Sequence, residues 1–269
     1  MLNVIIVPLY KETLNEFERV SIRQCFKVFM ERVICVVKPD SLDLSAILEE
    51  FPFNKVVSFD DSFFKDIHGY NRLMLSPTFY GSFLDYSYML IYQPDAFAFS
   101  DKLNYWADSG YDYIGAPWLR PLKTNTAFSR RYNKLKSDLY VKFNVSQKGL
   151  PKSKQLYNRV GNGGFSLRNI KKFYDLTLSE KGMIQHYINL KNPAFNEDLF
   201  WSIEVNRKQK RLNIPDFKIA IKFSIETHPK YAFELGGNTL PFGCHAWEKH
   251  LDFWREFIRE EGYNIPVAL

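Results

Sequence analysis

The sequence predicts an α/β fold, a single domain over residues 1–269 with a mainly parallel central sheet flanked by helices. One observation behind this prediction is a set of short, apolar, β-branched runs, which are typical of strands buried on both faces. These runs alternate with segments of helical spacing over the first part of the chain. The composition is 46% hydrophobic and 25% charged, which is enough for one large core.

The N-terminal elements follow from these patterns. NVIIVPLY (3–10) is a continuous apolar run interrupted by a proline, and it predicts the first buried strand. An apolar stripe over residues 22–30 has the spacing of an amphipathic helix. VICVVKP (33–39) and KVVSF (55–59) predict the second and third strands.

The middle of the chain continues the alternation. RLMLSPTFYGSFL (72–84) predicts a helix despite Pro77, and SYMLIY (87–92) predicts the strand that follows it. YDYIGAPW (111–118) predicts another short strand that runs into a Gly/Pro turn.

Two helices are predicted in the C-terminal part. One covers NEDLFWSIEVNRK (196–208), and the other begins at about Ala246 with an amphipathic stripe.

The net charge of +6 is unevenly distributed. Between Leu119 and Lys154 ten Lys and Arg face Asp138 alone, so this segment carries +9 and the remainder −3. Few periodic apolar positions occur here, which predicts a basic, mobile loop at about 119–156. Two interpretations stay open: a solvated loop, or a surface that meets an anionic partner such as a membrane or a phosphorylated acceptor. Nucleic acid is not predicted as a partner, because no recognised binding module is present.

The expected location is cytoplasmic. Cys25, Cys35 and Cys244 have no CxxC spacing and cannot all pair, which favours a reducing compartment. The run that begins at Met1 lacks the features of a signal peptide, and no window has the length of a transmembrane helix.

A single acid, Asp95, follows directly after the apolar strand 87–92. A carboxylate is costly to bury without a partner or a cation. In open α/β sheets ligands bind beyond the carboxyl ends of the strands, so Asp95 is expected to face a cleft at that edge.

Three further polar stretches have the chemistry of a site. The glycines of VGNGGFSLR (160–168) allow close approach of the backbone to a ligand, and the stretch is expected to open a helix. The paired acids of NEDLFW (196–201) are either residues favoured at a helix N-terminus or catalytic groups. His245, in FGCHAWE (242–248), is by itself more often a structural or capping residue than a ligand.

Together these stretches resemble the GT-A family of nucleotide-sugar glycosyltransferases. More narrowly, the chain is similar from Asn3 to about Phe257 to a poorly characterised group of bacterial and viral glycosyltransferase-like proteins. The motifs that carry the resemblance are LIYQPDAF, YDYIGAPW, VGNGGFSLR, NEDLFW and PFGCHAWEK.

The resemblance implies a divalent metal, Mn²⁺ or Mg²⁺, as cofactor. In GT-A enzymes an Asp-x-Asp motif at a strand end binds the metal and the donor diphosphate. Asp95 matches the last Asp of that motif, whereas Gln93 stands at the position of the first. His245 matches the late metal-binding His of one branch of the family, so Asp95 and His245 are the implied metal ligands.

The resemblance also implies catalytic roles. The Glu-Asp pair supplies the general base of an inverting enzyme, with Asp198 as first choice and Glu197 as second. Gly163 and Gly164 are expected to lie along the donor sugar. A retaining enzyme would not require such a base.

Weaker arguments add donor-binding and acceptor-binding residues. Arg72 is either a contact of the diphosphate or a surface ion-pair partner, and Trp118 either stacks on an acceptor sugar or belongs to the core. The complete predicted donor set is Pro8, Tyr10, Asn71, Arg72, Gln93, Asp95, Gly163 and Gly164, and the predicted acceptor set is Trp118 and Asp112.

The predicted activity is transfer of a sugar from a nucleotide-diphosphate sugar, with UDP-sugar as first choice, to a saccharide or lipid-linked glycan. Peripheral membrane contact is expected through the basic segment 119–154. One alternative is a catalytically inactive module that binds sugar or nucleotide on the same fold. Another is a nucleotidyltransferase, but residues 1–30 lack the Gly-rich signature with a downstream Lys.

Overall fold

The computed structural model describes residues 2–120, 126–190, 192 and 194–265. Three sheets are present in this part of the chain, with six, three and two strands. The strands are β1 (Asn3–Pro8), β2 (Val33–Pro39), β3 (Lys55–Phe59), β4 (Tyr88–Tyr92), β5 (Ala96–Ala98), β6 (Tyr113–Pro117), β7 (Ser146–Gln147), β8 (Leu150–Pro151), β9 (Val160–Asn169), β10 (Ser224–Ile225) and β11 (Gly243–His245).

Helices cover the sheets and connect the strands. The α-helices are α1 (Glu16–Val28), α2 (Ser45–Glu50), α3 (Ile67–Met74), α4 (Pro77–Gly81), α5 (Leu103–Ala107), α6 (Ala127–Lys142), α7 (Ile170–Ser179), α8 (Lys181–Asn189), α9 (Glu197–Leu199), α10 (Phe217–Phe223), α11 (Pro229–Leu235) and α12 (Leu251–Glu260). Short 3₁₀ segments occur at Asp61–Phe63, Ser153–Leu156 and Trp247–His250, and a π-helical segment occurs at Phe200–Glu204. Among the described helices, none has the length and apolar character needed to span a bilayer.

The six-stranded sheet has the order β3-β2-β1-β4-β9-β6. The strands β1 to β4 are parallel to one another, and β9 lies antiparallel between β4 and β6. The first residues of β9 therefore lie at the edge where β1, β4 and β6 end. This mixed, mostly parallel sheet with flanking helices confirms the predicted fold class.

The central strands are buried on both faces. Ile5 and Leu90 belong to one hydrophobic cluster, whereas Val4 and Met89 belong to a second cluster on the opposite face. Successive side chains of a strand point to opposite faces, so burial of both faces requires an uninterrupted apolar run. For this reason the strand predictions 3–10, 33–39 and 87–92 are confirmed. The strand predicted at 55–59 is present as β3, but it lies at the edge of the sheet and is mostly exposed, so the prediction that it is buried is wrong.

Two predicted helices differ from the structure. The segment 72–84 contains the end of α3 and the whole of α4, because Pro77 occupies the first turn of α4 and the Ser76 hydroxyl caps it. The helix predicted over 196–208 continues after α9 as the π-helical segment and ends at Glu204.

The prediction of a mobile basic loop at 119–156 is wrong for the described residues of that segment; residues 121–125 lie outside them. The segment contains α6, the β7–β8 hairpin and a 3₁₀ turn. Only Ser137 of α6 is buried, so this helix lacks the apolar stripe by which a sequence pattern reveals a helix. The prediction of one domain over residues 1–269 stays a prediction.

The glycine-rich stretch 160–168 forms most of β9, and all its residues are buried. The predicted helix follows it directly, since α7 begins at Ile170 with Asn169 as its N-cap. The backbone of this stretch is closely approached by Gly115 of the neighbouring strand β6, where a Cβ would lie 2.1 Å from the Asn162 carbonyl oxygen. Glycine in a strand often marks such a close approach of two backbones.

The small sheet has the order β10-β11-β5. β11 pairs antiparallel with β5, and His245 is in register with Ala96. Behind this sheet, Trp247, Trp254 and Ile258 of the C-terminal segment are fully buried, which confirms the amphipathic stripe predicted there.

Candidate active site

A cavity of about 540 Å³ opens at the edge of the large sheet where β1 and β4 end. We call it the edge cavity. It is lined by Tyr10, Phe64, Lys65, Asp66, Ile67, Tyr70, Asn71, Gln93, Asn162, Gly163, Gly164, Asn196, Glu197, Asp198 and His245. Residues from four of the motifs that are far apart in sequence therefore meet at one place.

One end of the edge cavity is built around His245. Its Nε2 lies 2.9 Å from the Asp95 Oδ1 and 3.1 Å from the Gln93 Oε1. The β5–β11 pairing brings His245 beside the residues that follow β4. The Gln93 N–H donates to the Gly164 carbonyl at 2.9 Å, which ties β9 to the same corner.

A second carboxylate lies on the other side of the imidazole. The Glu226 Oε1 is 3.5 Å from the His245 Nδ1, and Glu226 follows directly after β10. We call Asp95, Glu226 and His245 the histidine cluster. Burial disfavours the imidazolium, but the hydrogen bond to Asp95 and the negative charges of Asp95 and Glu226 outweigh it and raise the pKa of His245 to about 10. Burial also acts to raise the pKa of Asp95, but the hydrogen bond and charge of His245 lower it overall.

Gly164 leaves the space that the imidazole occupies. A Cβ at this position would lie 2.1 Å from the His245 Nε2. Any larger residue would have to displace the ring. Gly163 and Gly164 line the edge cavity, and their predicted contact with the donor sugar stays a prediction.

The other end of the edge cavity is built around a fully buried arginine. Arg168, on β9, donates from Nη1 to the Glu197 Oε2 at 3.2 Å and from Nη2 to the Glu197 Oε1 at 3.1 Å. The Tyr80 hydroxyl is 3.0 Å from the Arg168 Nη1, and the Glu197 N–H donates to the Asn71 Oδ1 at 3.1 Å. Glu197 therefore neutralises a buried charge and is held in one orientation.

Asp198 lies beside this pair and is differently placed. Its Oδ1 has no hydrogen-bond partner among the described residues. A Cβ on Gly163 would lie 2.2 Å from that oxygen, so glycine again makes room for a polar group. Burial and the neighbouring Glu197 raise the pKa of Asp198 well above its usual range, and Arg168 offsets only part of this rise. We call Arg168, Glu197 and Asp198 the arginine cluster.

Some predicted donor residues line the edge cavity and others do not. Tyr10 and Asn71 line it. Pro8 is buried at the end of β1 and is not part of the lining. Arg72 donates to the Ser62 carbonyl at 3.0 Å and lies over the Phe63 ring, so its position argues against the predicted contact with a diphosphate.

The two predicted acceptor residues lie outside the edge cavity. Asp112 precedes β6 and therefore lies at the opposite edge of the sheet, where its carboxylate accepts from the Asn213 N–H at 2.7 Å. Its position argues against acceptor binding. Trp118 follows β6 at the correct edge, and its ring lies against Gly161. Its contact with an acceptor stays a prediction.

Sequence patterns missed several residues of the site. The segment 64–71 follows the third parallel strand and contributes Lys65, Asp66 and Tyr70 to the edge cavity. Its position after the end of a strand could have indicated a place in the site. Nothing near Glu226 in the sequence indicated that it would meet His245.

The donor atoms of the histidine cluster fit a divalent cation held by two protein ligands. Ligand atoms of one octahedral cation with bonds of about 2.1 Å lie about 3 Å apart, which matches the spacing of the Asp95 Oδ1 and the His245 Nε2. Glu226 lies on the opposite side of the ring and cannot ligate the same ion. In the described ranges, no group of three His, Cys, Asp or Glu side chains is arranged to hold a metal.

Solved structures of similar shape define the class of fold. The galactosyltransferase LgtC, in complex with donor and acceptor sugar analogs, is 12% identical; the match covers 98% of this chain and 97% of LgtC, with a TM-score of 0.55. An active-site mutant of LgtC is 14% identical over 98% of this chain and 97% of that one, with a TM-score of 0.54. Mouse xyloside xylosyltransferase 1 is 12% identical; the match covers 91% of this chain and 98% of that one, with a TM-score of 0.48. The fold is that of GT-A-type glycosyltransferases.

The chain itself belongs to the family DUF5672, a family described as proteins of unknown function, whose model matches residues 54–245. A search of curated proteins gave no match.

Proposed function

We propose that this protein is a glycosyltransferase that moves a sugar from a nucleotide-diphosphate sugar, with UDP-sugar as first choice, to a saccharide or lipid-linked glycan. The observation that carries the proposal is the edge cavity, where His245 of the histidine cluster and Glu197 and Asp198 of the arginine cluster line one space at the carboxyl ends of β1 and β4. This is the place where open α/β sheets bind ligands. The likeness of fold to LgtC supports the same class of activity.

The histidine cluster is the proposed end for the donor diphosphate. Asp95 and His245 would hold Mn²⁺ or Mg²⁺, and the Gln93 carbonyl oxygen lies close to both. A bound divalent cation would stabilise the negative charge that develops on the departing diphosphate. Glu226 fixes the ring orientation from the Nδ1 side, the position at which a carboxylate commonly orients a ligating histidine.

The arginine cluster is the proposed site of proton transfer. Asp198 takes the proton of the acceptor hydroxyl. At the same time the hydroxyl oxygen bonds to the anomeric carbon of the donor sugar, from the face opposite the diphosphate. The bond from that carbon to the diphosphate oxygen breaks, the nucleoside diphosphate leaves, and the anomeric configuration inverts. The raised pKa of Asp198 makes it a stronger base than an exposed carboxylate.

Glu197 has a positioning role in this proposal. Its two oxygens are occupied by Arg168, so it is a weaker base candidate than Asp198. By neutralising Arg168 it leaves the Asp198 carboxylate free of a direct ion pair. The anomeric configuration of the product, measured by NMR, tests the assignment, because a retained configuration would exclude Asp198 as the base of a direct displacement.

The second candidate function is a catalytically inactive module that binds a nucleotide or sugar. Gln93 at the position of a carboxylate favours this candidate, because the histidine cluster then offers only two ligand groups for a cation. Release of free nucleotide from a nucleotide-sugar distinguishes the two, since an inactive module binds its ligand without turnover.

Cytoplasmic location and peripheral membrane contact complete the proposal. The three cysteines are buried and unpaired, in keeping with a reducing compartment. The basic segment 119–154 is the proposed contact with anionic lipid headgroups.

Thermal unfolding with UDP, GDP or CMP, each with and without Mn²⁺, tests the donor site. A ligand that binds only the folded state raises the unfolding midpoint. We expect one nucleotide to raise it in a metal-dependent manner in the wild type and in the control Asp175→Ala, which removes an exposed carboxylate of α7. Asp95→Ala should lose the response. No response to any nucleotide in the wild type would contradict the proposal.

A further inference from the structure

A second cavity of about 800 Å³ lies beside the edge cavity. We call it the basic cavity. Its walls come from α6, the start of β9, the π-helical segment and the chain that leads into α10. The basic residues of its lining are Arg130, Arg131, Lys134, Arg159, Lys210 and Lys218.

The basic cavity has a strong excess of positive charge. Asp138 and Asp216 are the acidic residues of the lining, and Asp138 is already paired with Arg159. Helix α6 brings three basic residues of the +9 segment, Arg130, Arg131 and Lys134, to this concave space, where Arg159, Lys210 and Lys218 join them. Concave surfaces of one sign concentrate ligands of the opposite sign.

Two buried polar atoms of the lining have no partner. The Ser137 side chain is 2% exposed, and its Oγ makes no hydrogen bond to any described residue. The Nε of Arg159 is likewise buried and unpartnered within the described part of the chain. Buried polar groups in folded proteins are normally satisfied, so a hydroxyl and a guanidinium N–H left without acceptors indicate a ligand that supplies oxygen atoms.

The basic cavity adjoins the proposed base. Ser202 of its lining follows Asp198 by four residues on one helical run, which corresponds to about 6 Å. Val160 of its lining precedes Asn162 of the edge cavity by two residues on β9, which corresponds to about 7 Å. The linings of the two cavities are therefore neighbours along β9 and along this helical run.

We propose that the basic cavity binds a phosphate group carried by the acceptor, so that the acceptor is an anionic, phosphate-bearing molecule. This inference rests on the proposed function and narrows its acceptor class. Phosphate oxygens accept hydrogen bonds from Arg and Lys and would also pair with the Ser137 hydroxyl and the Arg159 Nε–H. The donor diphosphate has its own place at the histidine cluster.

The probe is inorganic pyrophosphate, titrated by calorimetry in the presence of EDTA. EDTA removes divalent cations, so pyrophosphate cannot bind to the histidine cluster through a metal ion. The test variant is Arg131→Gln/Lys134→Gln/Lys218→Gln. The control is Lys142→Gln/Lys148→Gln/Lys152→Gln, which removes the same charge from the same region outside the lining. We expect affinity to fall at least about tenfold in the test variant and to stay within about twofold in the control. Equal loss in both variants would show a diffuse charge effect and overturn the proposal.

Ser137→Ala separates a ligand-binding role from a structural one. Because the hydroxyl has no partner among the described residues, its removal should leave the unfolding midpoint of the free protein unchanged or raise it. The pyrophosphate affinity should fall about tenfold, as for loss of a hydrogen bond to a charged group. A lowered midpoint with unchanged affinity would overturn the assignment.

An experiment with lipid vesicles distinguishes a phosphate group on a soluble acceptor from the phosphate of a lipid headgroup. Sedimentation with phosphatidylglycerol vesicles should show weak binding that both triple variants reduce equally. Strong vesicle binding lost only in the test variant, together with no pyrophosphate binding, would replace a soluble acceptor group by a membrane surface and overturn the proposal.

The pyrophosphate titration and the nucleotide-sugar turnover assay test the two proposals separately. If pyrophosphate binding follows the expected pattern but no nucleotide-sugar is ever turned over, the glycosyltransferase assignment fails and the anion site stands. If turnover is found and the pattern is absent, the function stands and the anion site fails.

Discussion

The two ends of the edge cavity use the same groups in different ways. Each contains one basic side chain and two carboxylates. In the arginine cluster the cation is fully buried and one carboxylate, Glu197, pairs with it through both oxygens. In the histidine cluster Asp95 and Glu226 approach different nitrogens of one ring, and Asp95 keeps a third of its side chain exposed.

The difference shows that the degree of burial determines which charged residues stabilise the fold and which are available for chemistry. Arg168 is always charged and therefore keeps Glu197 as its ion-pair partner. Asp198 has no such ion pair with Arg168, and its pKa is raised. The imidazole of His245, whose pKa is raised to about 10, would give up its Nε2 proton on binding a cation, and Asp95 and Glu226 would then orient the neutral ring. Four substitutions test this comparison, from the largest expected effect to the smallest.

Glu197→Gln should cause the greatest loss of stability. The guanidinium of Arg168 would be left buried without a full charge partner, which lowers the free energy of unfolding by about 3–5 kcal/mol. Urea unfolding measures this, with Glu256→Gln, an exposed pair on α12, as a control that should show no measurable change. A loss below about 1 kcal/mol would mean that Asp198 takes over as partner, and the division of roles within the arginine cluster would be wrong.

Gly164→Ala should damage the histidine cluster directly. The new Cβ would lie 2.1 Å from the His245 Nε2, and shifting a packed ring lowers the free energy of unfolding by about 1–3 kcal/mol. The metal-dependent response to nucleotide should be lost as well. Gly182→Ala in α8 is the control, because no atom lies within 4 Å and the change should stabilise by about 0.4–1 kcal/mol.

Asp198→Asn should stabilise the protein while abolishing turnover. The folded pKa of Asp198 lies above the unfolded value of about 3.9, so the wild type loses stability as pH rises from there through the folded pKa. The Asn variant lacks this loss, and its advantage on the order of 1 kcal/mol should therefore grow over the same pH range. Urea unfolding from pH 4 to pH 8 checks the sign. A variant less stable than the wild type at pH 7 would indicate that Asp198 is structural.

Glu226→Gln should change stability least and still affect binding. The amide keeps the shape but orients the imidazole less strongly, so affinity for Mn²⁺ should fall about tenfold. Manganese titration followed by electron paramagnetic resonance measures this, with Glu234→Gln as a control from α11 nearby in the chain. Unchanged affinity would mean that Asp95 alone positions His245.

The sequence by itself determined the central strands and the position of Asp95. Burial on both faces demands an uninterrupted apolar run, and this local pattern is visible without any contact. The motif order also led to the cavity that Gln93, Gly163, Gly164 and Asp198 line. Helix α6 and strand β9 were not predictable in the same way, because one lacks an apolar stripe and the other is rich in glycine.

Only the tertiary structure decided which charges meet. The pairing of β5 with β11 carries His245 to Asp95, and β10 adds Glu226 from a third segment. The antiparallel placement of β9 likewise brings Arg168 to Glu197 and leaves the Asp198 Oδ1 without a hydrogen-bond partner among the described residues. Such contacts depend on strand order and register between distant segments, and the pKa of each group depends on the burial that results, so no local pattern of residues encodes them.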